Sequence, residues 1–182
     1  MVKLHQEPVG TCLTLTQCTT IVTMHYMKIL MDADCLIKLT KAGLKEAIYP
    51  FCAITMPQAV DSEVVDAGKR KRCDDAFVIE KNISDGKIGV LDKISTSAIG
   101  DDAVIELYDA AMFDAVGTDD SRLVKRLINN GIPFILPAVI ILKMVESKHV
   151  ERDKAILMLN QLAPFISEDE YAMTYALIER MP

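Results

Sequence analysis

From Met27 onward, short apolar runs alternate with longer amphipathic segments, and this alternation limits the fold more than any other feature. The runs "KILMD", "AITM", "GKIGVLD", "AVGTDD" and "IPFILP" read as strands. Between them, "DCLIKLTKAGLKEAIYPF" has helical spacing punctuated at Gly43. "PQAVDSEVVDAGKRKR" has helical spacing from Pro57, with Val60 and Val64 on one face, and "DDAFVIEKN" continues helical. "IGDDAVIELYDAAMFDA" predicts a helix of about four turns. "DSRLVKRLINNG" predicts another, stopped at Asn130-Gly131. An apolar helix to about Val145 and two more in the tail complete the chain, the last opening on a capping box, Ser167 with Glu170. Strands separated by helices of this length need crossovers that return the chain in the same direction. The expected fold is α/β, three-layer α/β/α, with a mainly parallel sheet and C-terminal helices.

Composition narrows the class. Half the residues (51%) are hydrophobic but only 5% aromatic, so the core is built from aliphatic side chains and methionine. No apolar run reaches the roughly 18 residues of a membrane helix; the longest, "IPFILPAVIILKMV", is broken by two prolines and a lysine. A net charge of −6 argues against a general nucleic-acid coat, yet leaves room for an enzyme that meets nucleic acid through metal or a local basic patch. Five cysteines without a CxxC pair read as packed thiols of a reduced, cytoplasmic protein. Residues 1–26, rich in threonine and poor in charge, lack the basic start of a secretory signal. They read as a flexible extension, or as an arm packed on a single domain spanning residues 27–182.

The acids fall in a pattern. Ligands of an open parallel sheet bind beyond the carboxyl ends of its strands. Two expected strands end there on acids, at Asp32 with Asp34 and at Asp119 with Asp120, and two helices carry acids near their first turns, Glu63 and Asp101/Asp102. Taken singly, an acid at a helix N-terminus is an ordinary dipole partner or N-cap. Gathered at one point, carboxylates repel unless a cation neutralises them, and all-oxygen ligation favours Mg²⁺ or Mn²⁺ over zinc.

In this constellation the chain resembles the PIN-domain nucleases. Their motifs appear here as "ILMDADCLI", "MPQAVDSEV", "IGDDAVIELY" and "VGTDDSRLVKRL", in matching order and spacing from about Met27 to Phe165. The resemblance implies Asp32, Glu63, Asp102 and Asp119 or Asp120 as catalytic metal ligands, with Thr118 orienting the last. Asp34 stands where the family usually has Ser, Thr or Asn, and either supports Asp32 or caps the following helix. Asp101 and, after it, Glu106 are the alternative third acids. The implied activity is metal-dependent endoribonuclease cleavage of RNA, often as the toxin of a toxin–antitoxin pair, with an antitoxin protein as partner.

Three other readings attach to particular segments. The run Lys69, Arg70, Lys71 and Arg72 is either an RNA phosphate contact or a solvated helix end. "MDADCLI" also resembles the D-x-D motif of haloacid-dehalogenase-type phosphotransferases, in which Asp32 would be the nucleophile. That resemblance leaves "PQAVDSEV" and "TDD" without roles. The Met-containing C-terminal helices could form a homodimer or partner interface, as in a catalytically silent binding module, or pack into the core.

Overall fold

The computed structural model describes residues 26–70, 74–91, 95 and 100–181. Its centre is a five-stranded, wholly parallel sheet: β1 (Met27–Met31), β2 (Cys52–Pro57), β3 (Ile88–Leu91), β4 (Ala115–Gly117) and β5 (Phe134–Ile135), in spatial order β3-β2-β1-β4-β5. The α/β class and parallel sheet agree with the sequence pattern. β1 is the middle strand, and Ile29, Leu30 and Met31 are completely buried. A parallel strand covered on both faces is continuously apolar rather than alternating, as "ILM" is.

The chain runs outward from β1 through β2 to β3, then crosses back to lay β4 on the other side of β1. Order therefore reverses between β1 and β4, with Met31 registered opposite Gly117. Gly117 is required by the closeness of that pairing. A Cβ there would lie 2.9 Å from Ile29 Cγ2 and 3.2 Å from Met31 Cε.

The helices are α1 (Ala33–Lys41), α2 (Lys45–Ile48), α3 (Gln58–Asp61), α4 (Gly68–Arg70), α5 (Asp74–Ser84), α6 (Gly100–Leu107), α7 (Ser121–Asn129), α8 (Pro137–Glu146), α9 (Arg152–Leu162) and α10 (Glu168–Glu179). A π-helical segment, Ser62–Ala67, joins α3 to α4, and Val60 and Val64 are both buried as expected. Gly43, between α1 and α2, and Gly131, at the predicted Asn130-Gly131 stop, take positive φ. Tyr26 donates a 3.1 Å hydrogen bond to the Tyr49 carbonyl, while the expectation for residues 1–25 lies outside the described residues.

Two local expectations are corrected. The helix opening at "GDD" ends at Leu107, about two turns rather than four. Asp109 competes for the backbone there: its carboxylate accepts from Ala111 N, and its carbonyl accepts from Met112 N and Phe113 N. The turn so formed delivers Asp114 to the sheet, where it brackets Lys28 through Lys28 N to Asp114 Oδ2 (2.8 Å) and Asp114 N to Lys28 O (2.9 Å).

The capping box at α10 forms only by half. Ser167 Oγ accepts from Glu170 N, but the Glu170 carboxylate leaves its own helix and accepts from Ala138 N (2.9 Å) at the start of α8. No side chain caps α8 from its own N-cap, Leu136, so Glu170 supplies from another helix what the local sequence lacks. The C-terminal helices bury one face in the core through Ala155, Met158, Leu159, Leu162 and Ile178, while Leu157, Met173 and Leu177 remain exposed. Among the described residues no helix is long and apolar enough to cross a membrane.

The tight β1–β4 approach makes a direct prediction. Gly117→Ala should destabilise the fold by about 1–3 kcal/mol, the usual cost of overpacking a closed core. Equilibrium urea unfolding of parent and variant measures the difference, and an unchanged midpoint would refute the packing argument.

Candidate functional site

The strand reversal places the carboxyl ends of β1 and β4 side by side, the position where open α/β sheets bind ligands. Asp32 follows β1 directly, and its backbone N–H continues the pairing to Gly117 O at 3.0 Å. Its side chain is the N-cap of α1, with Oδ1 accepting from Cys35 N at 2.8 Å. Asp32, rather than Asp34, therefore caps the helix. Its second oxygen, Oδ2, accepts from the hydroxyl of Thr118, a completely buried residue just beyond β4. Thr118 Oγ1 in turn accepts from Asp120 N at 3.1 Å. One hydroxyl thus ties the ends of both central strands together. Thr118 orients the Asp32 carboxylate directly and Asp120 only through its backbone.

A cleft opens above this junction, lined by Asp32, Asp34, Asp101 and Asp120 with Val60 and Gly100. Four carboxylates from three chain segments, the β1–α1 junction, the start of α6 and the start of α7, meet there. Asp120 is also the N-cap of α7, its Oδ1 accepting from Arg122 N and Leu123 N at 2.8 Å each. Of this acid pair, Asp120 rather than Asp119 both lines the cleft and caps the helix.

The remaining sequence-predicted residues are placed elsewhere. Asp102, the anticipated third ligand, forms an ion pair with Arg126 on α7, and Asp101 is the α6 acid that lines the cleft. Asp119 turns away behind Asp32: its Oδ2 is paired with Lys38 of α1, and its Oδ1 is buried without a hydrogen-bond partner. Glu63 belongs to the π-helical segment that follows the cleft residue Val60, but its side chain lies outside the described residues. So do Lys71, Arg72 and the Arg70 side chain. Lys69 pairs with Glu80 and sits 5.8 Å over the Phe77 ring.

Two charged residues of the site went unread in the sequence, Lys38 and Glu170. Lys38 sits in an amphipathic helix where a lysine reads as solvent-facing, and nothing local points it at Asp119. Glu170 carried a signal, the capping box, but the signal named the wrong partner.

Electrostatics follow from this layering. Asp32 is 3% exposed, and burial pushes its carboxyl up to about 7. The Thr118 and Cys35 hydrogen bonds pull it down, and the charges of Asp34 and Asp119 push it further up. Asp101 is also raised, by burial and then by the charge of Asp120. Behind the cleft, burial lowers the Lys38 ammonium, but pairing with Asp119 outweighs it and leaves the group above its ordinary value. Burial raises Glu170 as well, against the Ala138 amide that favours its charged form. Burial and the neighbouring Asp32 charge hold the Cys35 thiol well up, so it is not poised as a thiolate nucleophile.

The donor set fits a hard divalent cation. It is all oxygen, it carries uncompensated negative charge, and Asp32 uses one hydrogen bond on each oxygen, which leaves lone pairs on both. Among the described residues no three His, Cys, Asp or Glu side chains already stand at chelating spacing.

The raised Asp32 carboxyl has a stability consequence. Between its ordinary value of 3.8 and about 7, the folded chain holds a proton that the unfolded chain has released. Stability then falls as pH rises through that window, by up to roughly 4 kcal/mol. With chelator present, the urea midpoint of the parent should drop from pH 4 to pH 7, and Asp32→Asn should flatten the trend. Equal slopes in the two proteins would show that Asp32 is not the titrating group. Set against models of known protein families and against curated proteins, the chain gave no match.

Proposed function

We propose that this chain is a metal-dependent endoribonuclease of the PIN type, hydrolysing RNA phosphodiester bonds with Mg²⁺ or Mn²⁺. The observation that carries the reading is the meeting of Asp32, Asp34, Asp101 and Asp120 in one cleft at the reversal between β1 and β4. Asp32 and Asp101 are best placed to hold the ion, with Asp34 and Asp120 supporting them directly or through water, and Glu63 close in sequence to the cleft residue Val60. When bound, such an ion makes water acidic enough to attack phosphorus at neutral pH and offsets charge on the leaving oxygen.

The protein's own groups supply orientation. Thr118 and the Cys35 amide fix the Asp32 carboxylate, so no rotamer search precedes binding. Lys38 holds Asp119 behind the cleft and cancels one negative charge of the cluster. The phosphotransferase alternative would make Asp32 the nucleophile, but it leaves the segments around Glu63 and Asp120 without roles. A toxin role, an antitoxin partner, a homodimer and a cytoplasmic setting belong to the same proposal. The exposed Leu157, Met173 and Leu177 form the surface that a protein partner would cover.

The test is cleavage of a mixed single-stranded RNA pool with Mn²⁺ or Mg²⁺. Activity should vanish in EDTA, fall by at least about 100-fold in Asp32→Asn and in Asp101→Asn, and survive within a few-fold in Asp102→Asn. Equal losses in the Asp101 and Asp102 variants would overturn the ligand assignment. Hydrolysis of a small phosphomonoester without RNA cleavage would replace the nuclease with a phosphotransferase.

A further inference from the structure

A nuclease with a net charge of −6 and an acidic cleft must still hold a polyanion. In the basic run at residues 69–72, Lys69 is engaged by Glu80 and Phe77, and the other three side chains lie outside the described residues. Helix α7 offers a described cationic surface. Its sequence, SRLVKRLIN, has three cations and no acid. Arg122, Lys125 and Arg126 fall at i, i+3 and i+4, which is one stripe of a helix, and all three are exposed. Leu123 and Leu127 bury the neighbouring stripe, so the orientation of the cations is set by the core.

The stripe starts at the cleft. Asp120, which lines it, is the N-cap of α7, and Arg122 is two residues further on. Arg126 lies about 9 Å along the axis from Asp120 and pairs with Asp102, the residue beside the cleft's Asp101. Both members of that pair are more than 40% exposed, so water screens the bond and a phosphate can take the place of Asp102. Arg122 and Lys125 make no ion pair among the described residues. A guanidinium offers a phosphate two parallel donors, and two of the three cations are arginine.

We infer that the Arg122–Lys125–Arg126 stripe is the phosphate-binding track for single-stranded RNA entering the cleft, with Asp102 holding Arg126 in register until a phosphate replaces it. The inference rests on the ribonuclease reading for the identity of the polyanion, but its test does not require cleavage.

Binding of a fluorescent single-stranded RNA is measured in EDTA across a salt series, for the parent and for Arg122→Gln/Lys125→Gln/Arg126→Gln. Each phosphate contact on a single strand contributes about 0.7 to the slope of log affinity against log salt. The triple variant should lose about 2 units of slope and bind at least about tenfold more weakly at low salt. Single Arg122→Gln and Lys125→Gln variants, on an exposed face, should each lose about a third of that change. With metal restored, KM should rise while kcat stays the same. An unchanged slope in the triple variant, or no RNA binding by the parent even at low salt, would overturn the track. A lowered slope in a protein that cleaves nothing would uphold the track while the nuclease reading fails. Cleavage with an unchanged slope would do the reverse.

Discussion

The junction between β1 and β4 governs everything else in this protein. Parallel strands can share an edge only if the chain crosses over, and here the crossover reverses direction between these two strands. Their ends are locked by the Gly117–Met31 register, the Asp32 amide to Gly117 and the Thr118 hydroxyl to Asp32. Because Thr118 also receives the Asp120 amide, the starts of α1 and α7 are fixed to the same point. The two acids that open those helices therefore serve as N-caps and as cleft walls at once. Helix capping and site building use the same carboxylates.

Charge is sorted into two layers around this junction. In front, Asp34, Asp101 and Asp120 share the cleft with Asp32 and leave negative charge that only a cation, a proton or water can offset. Behind, Asp119 is answered by Lys38, and Glu170 is answered by the Ala138 amide. Were Asp119 also turned forward, a fifth carboxylate would join the cluster and raise its neighbours further. Lys38 pairs with Asp119 instead.

Much of this was legible beforehand, for identifiable reasons. Strand "ILM" and its acid stop are adjacent in sequence, so the end of β1 could be read from a handful of residues. The same holds for "AVGTDD" and for the Asn130-Gly131 stop, where Gly131 takes the positive φ expected of it. What escaped depended on partners far away in sequence. Arg126 engages Asp102 and Lys38 engages Asp119, while Asp101 and Asp120 line the cleft. The early end of α6 goes with the Asp109 turn, which brings Asp114 to Lys28. Local pattern marks where acids gather but cannot say which way each one turns.

The bond from Glu170 to Ala138 has a wider meaning. It makes α10 a brace for α8, whose first turn follows directly from β5 on the β4 side of the sheet. The same carboxylate lies within electrostatic reach of Asp119 and Lys38. Lifting α10 from the domain would strip α8 of its cap and remove one charge from the rear layer in a single event. Helix α10 is thereby a mechanical and electrical counterweight to the cleft.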